Sequence, residues 1–376
     1  MNFEFSEELD QLRDTARELL LKRRSVAAAR KVLDNRGQYD RELWSEMASM
    51  GWIGASIPEQ YGGMGLGRLP ICVLAEEIGR AITPVPFSSS VYLAAEALMQ
   101  FGSAEQKQKY LAQLAVGEAI GTFACSEGVG PMNPESFDTR VAAGKLTGFK
   151  VAVPDGFVAD FAIVAIKAGH TGHSLYIVDL AGPGVSRTVT ETFDPSRGHA
   201  DITFQDAAVE TLPDAIGPAP VLALLDRAAI LMSFEQVGIA QAAMEMARDY
   251  AKERFAFGRP IGSFQAIKHR LVDMYVSIEL ARSNAYYGAW ALESDALELP
   301  VAAAAARVAA CDAGWLAAKE NIQIHGGMGF TWELDCHLYY RRAKLLSLAL
   351  GSAREWKRKL IGHLRAAGND GLETTA

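Results

Sequence analysis

Three short stretches of this chain have residue types and spacings that could do chemistry. Lys252 to Arg270, KERFAFGRPIGSFQAIKHR, sets several arginines and lysines at the junction of two helical periods. Guanidinium and ammonium groups there can hold a phosphate through charge-assisted hydrogen bonds, or can simply complement the negative end of the preceding helix. Gln323 to Phe330, QIHGGMGF, carries three glycines after an alanine-rich helical run. Such glycines either end the helix or let bare backbone approach a pyrophosphate. Ala124 to Pro134, ACSEGVGPMNP, offers a hydroxyl at Ser126 and a carboxylate at Glu127.

The elements that must position these residues follow from hydrophobic periodicity. Phe5, Leu9, Leu12, Ala16 and Leu19 recur at helical spacing behind Ser6, a residue suited to cap a helix. Further helical patterns run from about 40 to 50 and through LPICVLAEEIGRA, SSVYLAAEALMQFG and SAEQKQKYLAQLA, the last opening with a Ser103/Gln106 capping box. The texture then changes. KLTGFKVAV, DFAIVAIKA, HSLYIVDL, VSRTVTETF and ADITFQDAAV are short, alternating or β-branched, and bounded by turn residues, which predicts a small all-β unit of roughly five to eight strands. Long helical periods return at about 221–256, 262–293, 298–324 and 337–366. The expected fold class is α+β, with a helical domain at 1–117, a middle β domain at 118–217 and a C-terminal helical bundle at 218–376.

Composition narrows the function classes. The chain has 376 residues, 22% of them charged, and a formal net charge of −8, which argues against a general nucleic-acid surface. No run approaches the roughly 20 apolar residues of a membrane span. Cys72, Cys125, Cys311 and Cys336 lie far apart with no CxxC spacing, and read as reduced thiols of a cytoplasmic protein with no metal site.

Taken together and in order, PEQYGGMG, VGIAQAAMEMARDYAKERFAFGRPIGSFQAIKH, NIQIHGGMGFTWE and YRRAKLL make the chain resemble the acyl-CoA dehydrogenase family over nearly its whole length. The resemblance implies a helical domain, a β-barrel and a four-helix bundle, FAD as cofactor, an acyl-CoA substrate oxidised between its α and β carbons, and an electron-transfer flavoprotein as electron acceptor. It also implies a tetramer in which the ADP half of each FAD is held by a neighbouring subunit. Arg254, Phe257 and Gln265 match the residues with that role, and Gln323, Gly326 and Gly327 match the glycine-rich turn that touches the same half. Ser126 matches a hydroxyl that lines flavin and substrate. Met132 stands where the family signature has serine, and Ala152-Val153-Pro154 stands where it has a strand that hydrogen-bonds the flavin edge. Proline has no N–H to donate.

The catalytic carboxylate is missing from both usual places. The common glutamate, just before a glycine near the end of the chain, matches Leu350. The alternative one, ten residues before Gly238, matches Ala228. Glu235, seven residues beyond Ala228, returns to the same helix face about 10 Å along the axis. It is either an atypical base or a polar residue satisfied inside the bundle. Three functions are therefore open: one subunit of a heteromeric acyl-CoA dehydrogenase whose partner supplies the base, a homo-oligomeric enzyme with an unusual base, or a non-catalytic interaction subunit.

Overall fold

The computed structural model describes residues 5–373, except 24, 36, 131, 170 and 171. Pro131 of the SEGVGPMNP stretch therefore lies outside the described residues. The helical N-terminal region contains α1 (Glu7–Lys22), α2 (Ser25–Asp34), α3 (Arg41–Ser49) and α4 (Leu69–Arg80), then α5 (Glu96–Phe101), α6 (Ala104–Gln106) and α7 (Ala112–Ala115). Side-chain caps start several of them: Ser6 accepts from the Leu9 amide, Asp40 from that of Leu43, and the Ser103/Gln106 capping box is formed. Two stretches that read as ordinary helix, Ser88–Ala95 and Lys107–Leu111, are wound as π-helix. Every residue of the first is buried, so tertiary packing sets its winding.

Among the described residues eight strands follow: β1 (Gly121–Ala124), β2 (Arg140–Ala142), β3 (Lys145–Pro154), β4 (Phe161–Ala165), β5 (Leu175–Asp179), β6 (Val185–Val189), β7 (His199–Ala208) and β8 (Glu210–Thr211). They form two four-stranded sheets, ordered β1-β4-β5-β8 and β2-β3-β7-β6. β4 and β5 are almost wholly buried, matching their unbroken apolar runs, whereas β6 alternates with exposed polar positions.

The C-terminal region has α8 (Ala219–Glu253), a short hairpin β9 (Phe255–Ala256) and β10 (Arg259–Pro260), then α9 (Gln265–Glu293), α10 (Leu299–His325), α11 (Cys336–Leu348) and α12 (Ala353–Glu373). The single helix expected over 337–366 is broken at Ala349–Ser352, where Leu350 (φ +60°) and Gly351 (φ +98°) turn the chain. α10 alone among the described helices is long and apolar enough to cross a membrane. Here it is core, its many buried alanines letting α9, α11 and α12 pack on it.

The chain divides into two compact units. One comprises Met1–Val26, Cys72–Thr83 and Ala229–Ala376, the other Ala27–Ile71 and Pro84–Ala228. In the first, α4 crosses α8 with backbone nearly touching backbone. A Cβ built on Gly79 would lie 1.9 Å from the Glu235 carbonyl oxygen, and one on Gly238 the same distance from that of Glu76. Only glycine permits such a crossing.

Candidate active site

Six of the seven candidate cofactor residues lie in the helical unit at the ends of its long helices. α8 ends at Glu253, and Arg254 follows with its amide still bonded to the Tyr250 carbonyl (2.8 Å). Phe257, in the hairpin, adopts φ +53° with its ring 95% exposed. A bulky residue in the left-handed region costs free energy that no burial within the chain offsets. Phe264, the N-cap of α9, packs edge-on to Phe257 at 6.2 Å, and Gln265 opens that helix. Arg254, Gln265 and Gln323 are all exposed.

The glycine-rich turn is built at the end of α10. Gly326 has φ +60° and ψ −139°, a conformation open essentially to glycine alone. A Cβ on Gly326 or Gly327 would meet nothing within 4 Å, so both present bare backbone to open space. Gly329 is different, since a Cβ there would lie 2.5 Å from the Ile322 carbonyl oxygen and the turn folds tightly under itself. The exposed arginine, the outward phenylalanine and the two uncovered glycines fit the diphosphate and adenine end of FAD.

Ser126 belongs to the other unit, half-buried at the start of an exposed loop through Gly128 and Gly130. Its hydroxyl donates to the Gly128 carbonyl (3.1 Å). Glu127 accepts from the Lys150 ammonium (2.6 Å) and from the amides of Asp138 and Thr139. Lys150 is fully buried, lies 4.1 Å from the centre of the Phe137 ring and also donates to the Cys125 carbonyl (3.2 Å). Burial acts to raise the Glu127 pKa, but the bonds from Lys150, Thr139 and Asp138 outweigh it and hold the carboxyl below its ordinary range. On β3 the Lys150-to-Val153 bulge puts Ala152 at φ +48°, and its amide donates to Asp201 (2.8 Å). The groups standing where the flavin edge would be read are thus either committed internally or, at Pro154, lack a donor.

The turn holding Leu350 is fixed from below. Arg307, fully buried on α10, donates to Gln236, to the Leu346 carbonyl and to that of Ala349 (2.8 Å). These are carbonyls a helix end leaves without partners. The Leu350 carbonyl accepts from the Trp356 indole (3.1 Å), and Ser352 with Glu355 caps α12. Sequence reasoning did not single out Arg307, although an arginine inside an alanine-rich helix is a visible signal. Ala228 is buried on α8. Glu235 is fully buried, its carboxylate 3.8 Å from the equally buried Arg342 guanidinium. A cavity of about 380 Å³ in the helical unit is lined by none of the seven candidates. It holds the pairs Arg17–Glu77, Arg80–Glu245 and Arg282–Glu76. Among the described residues no group of His, Cys, Asp and Glu could hold a metal ion.

Residues 6–118 match the acyl-CoA dehydrogenase N-terminal domain and residues 217–363 the C-terminal domain. Acyl-CoA dehydrogenase IpdE2 of Mycobacterium tuberculosis is 35% identical over 359 residues, covering 94% of this chain and 96% of that protein. A variant of the Tcur3481-Tcur3483 steroid ACAD superposes with TM-score 0.88 at 32% identity, covering 97% and 99% of the two chains. A chain of the ChsE4-ChsE5 complex from Mycobacterium tuberculosis superposes with TM-score 0.89 at 28% identity and the same coverage. With the helical, β and helical regions in that order and relatives matched end to end, the chain belongs to the acyl-CoA dehydrogenase family, oxidoreductases that act on acyl-CoA thioesters with FAD as cofactor.

Proposed function

We propose that this chain is one subunit of a heteromeric acyl-CoA dehydrogenase. It contributes the ADP-binding face through Arg254, Phe257, Gln265, Gln323, Gly326 and Gly327, while a partner subunit supplies the flavin-ring pocket and the catalytic base. The observation that carries this reading is the Leu350 turn. It is held by Arg307 and Trp356, yet the side chain it presents cannot accept a proton. Ala228 has no carboxylate either, and Glu235 is enclosed against Arg342. The hydrogen bonds that the Ser126 hydroxyl and the Ala152 amide already make within the chain support the same division of labour. So do two structural relatives whose names join two different proteins.

FAD, when bound, supplies the hydride acceptor. The electron acceptor implied by the family resemblance would be an electron-transfer flavoprotein. This chain's exposed cation and bare glycine backbone bind and orient the cofactor's diphosphate end.

The test is the visible absorption spectrum and native mass of the chain purified alone and after co-expression with a second acyl-CoA dehydrogenase-like chain. The expected outcome is little flavin alone and one flavin per two chains in a mixed tetramer. A yellow homotetramer with one flavin per chain and its own turnover would overturn the proposal. A mixed assembly that never takes up flavin would point to an interaction subunit without catalysis.

A further inference from the structure

The end of α8 that leads to Arg254 and the end of α10 that leads to Gly326 are joined by one aromatic contact. Tyr250, four residues before Arg254, stacks on His325 with ring centroids 4.1 Å apart and planes 25° from parallel. His325 is the last residue of α10, immediately before Gly326, and is 5% exposed. Its Nδ1 lies 2.8 Å from the carbonyl oxygen of Asn321, one turn earlier. A carbonyl only accepts, so Nδ1 carries the proton and the ring orientation is set by the helix itself. On the far side of the two open glycines, the Tyr250 hydroxyl reaches the Met328 sulfur at 4.0 Å. One tyrosine side chain thus touches the residue before the Gly326–Gly327 pair and the residue after it. The Arg254 amide, meanwhile, is bonded to that same tyrosine's carbonyl.

We propose that Tyr250 and His325 are a positioning pair that sets the Arg254 segment and the Gly326–Gly327 turn as one preorganised anion-binding face. The proposal rests on the reading that these segments hold the ADP half of FAD. The physical reason is that two glycines with nothing around them have more conformations to lose than any other residue type. Binding a diphosphate on them is strong only if something else has already confined the turn. Gly329 confines it from the α10 side, and the Tyr250–His325 stack confines it from α8. Neither ring needs to touch the ligand. Their part is to hold the donors where the ligand will find them.

The test compares Tyr250→Leu with Tyr250→Phe in the full chain, assembled with its partner subunit. Phenylalanine keeps the stack and loses only the contact to Met328; leucine keeps apolar bulk and loses the stack. Two readouts separate this inference from the reading it rests on. Amide hydrogen exchange over 326–330, measured without flavin, should speed up in Tyr250→Leu and stay near wild type in Tyr250→Phe. FAD affinity should fall about tenfold in the leucine variant, the scale of one lost aromatic pair, and stay near wild type in the phenylalanine variant. Unchanged exchange in Tyr250→Leu, or equal losses in both variants, would overturn the clamp. Faster exchange with unaltered FAD affinity would keep the clamp and refute its role in positioning the cofactor.

Discussion

Gly238→Ala tests the helix crossing on which the helical unit is built. The added Cβ would lie 1.9 Å from the Glu76 carbonyl oxygen and 2.8 Å from the Arg80 amide nitrogen. Both are backbone atoms of α4 and cannot rotate away. Reaching the 3.0 Å below which real Cβ contacts essentially never fall requires a shift of about 1.1 Å (3.0 − 1.9). Overpacking of a well-filled core costs about 1–3 kcal/mol, and a clash with unyielding backbone belongs at the upper end. Alanine recovers about 1 kcal/mol through helix propensity. The expected net effect is a destabilisation of about 2 kcal/mol, read as a lower urea midpoint by a probe of the helical unit. Gly79→Ala should behave alike. The double variant should cost clearly less than the sum, because one opening of the crossing relieves both clashes. A Gly238→Ala protein as stable as wild type, or full additivity of the pair, would refute the reasoning.

Arg307→Met should destabilise the helical unit by about 1–3 kcal/mol for each buried acceptor left without its donor, Gln236 and the Leu346 carbonyl foremost, and hydrogen exchange should show the Leu350 turn loosened first. Acid should weaken the fold in a defined window. Glu127 and Glu245 are both held below the ordinary carboxylate range, with burial opposing and hydrogen bonds from Lys150 and Arg80 prevailing. Their contribution is therefore complete above the unfolded carboxylate pKa of about 4.3 and lost as pH falls through the lower folded values, so stability measured by urea unfolding should decline below about pH 4.5. Burial pushes the Cys125 thiol up to about 12 and that of Cys336 up to about 11, and raises Cys72 as well. All four thiols are free and buried, so a thiol reagent at pH 8 should find almost none in the native protein and all four after denaturation.

The chemistry of this protein was legible in the sequence wherever it depends on local residue type. The Ser103/Gln106 box, the Asp40 and Ser6 positions and the strand texture from Lys145 to Ala208 are written in neighbouring residues, because caps and alternation act over a few positions. The absence of a carboxylate at Leu350 and Ala228 is likewise a matter of residue identity, as are the glycines of QIHGGMGF. Interactions between distant residues were not legible. Nothing in the local pattern marks Ser88–Ala95 as π-helix or pairs Glu235 with Arg342. Nor does it join α1 and part of α4 to the C-terminal helices in one compact unit. The burial of Glu235 and its place beside Arg342, far along the chain, are likewise decided by packing. Sequence sets which groups are available and which local conformations they favour. Only packing in three dimensions decides which are desolvated, which are paired and which are left facing open space, because those energies arise between side chains that the chain order keeps apart.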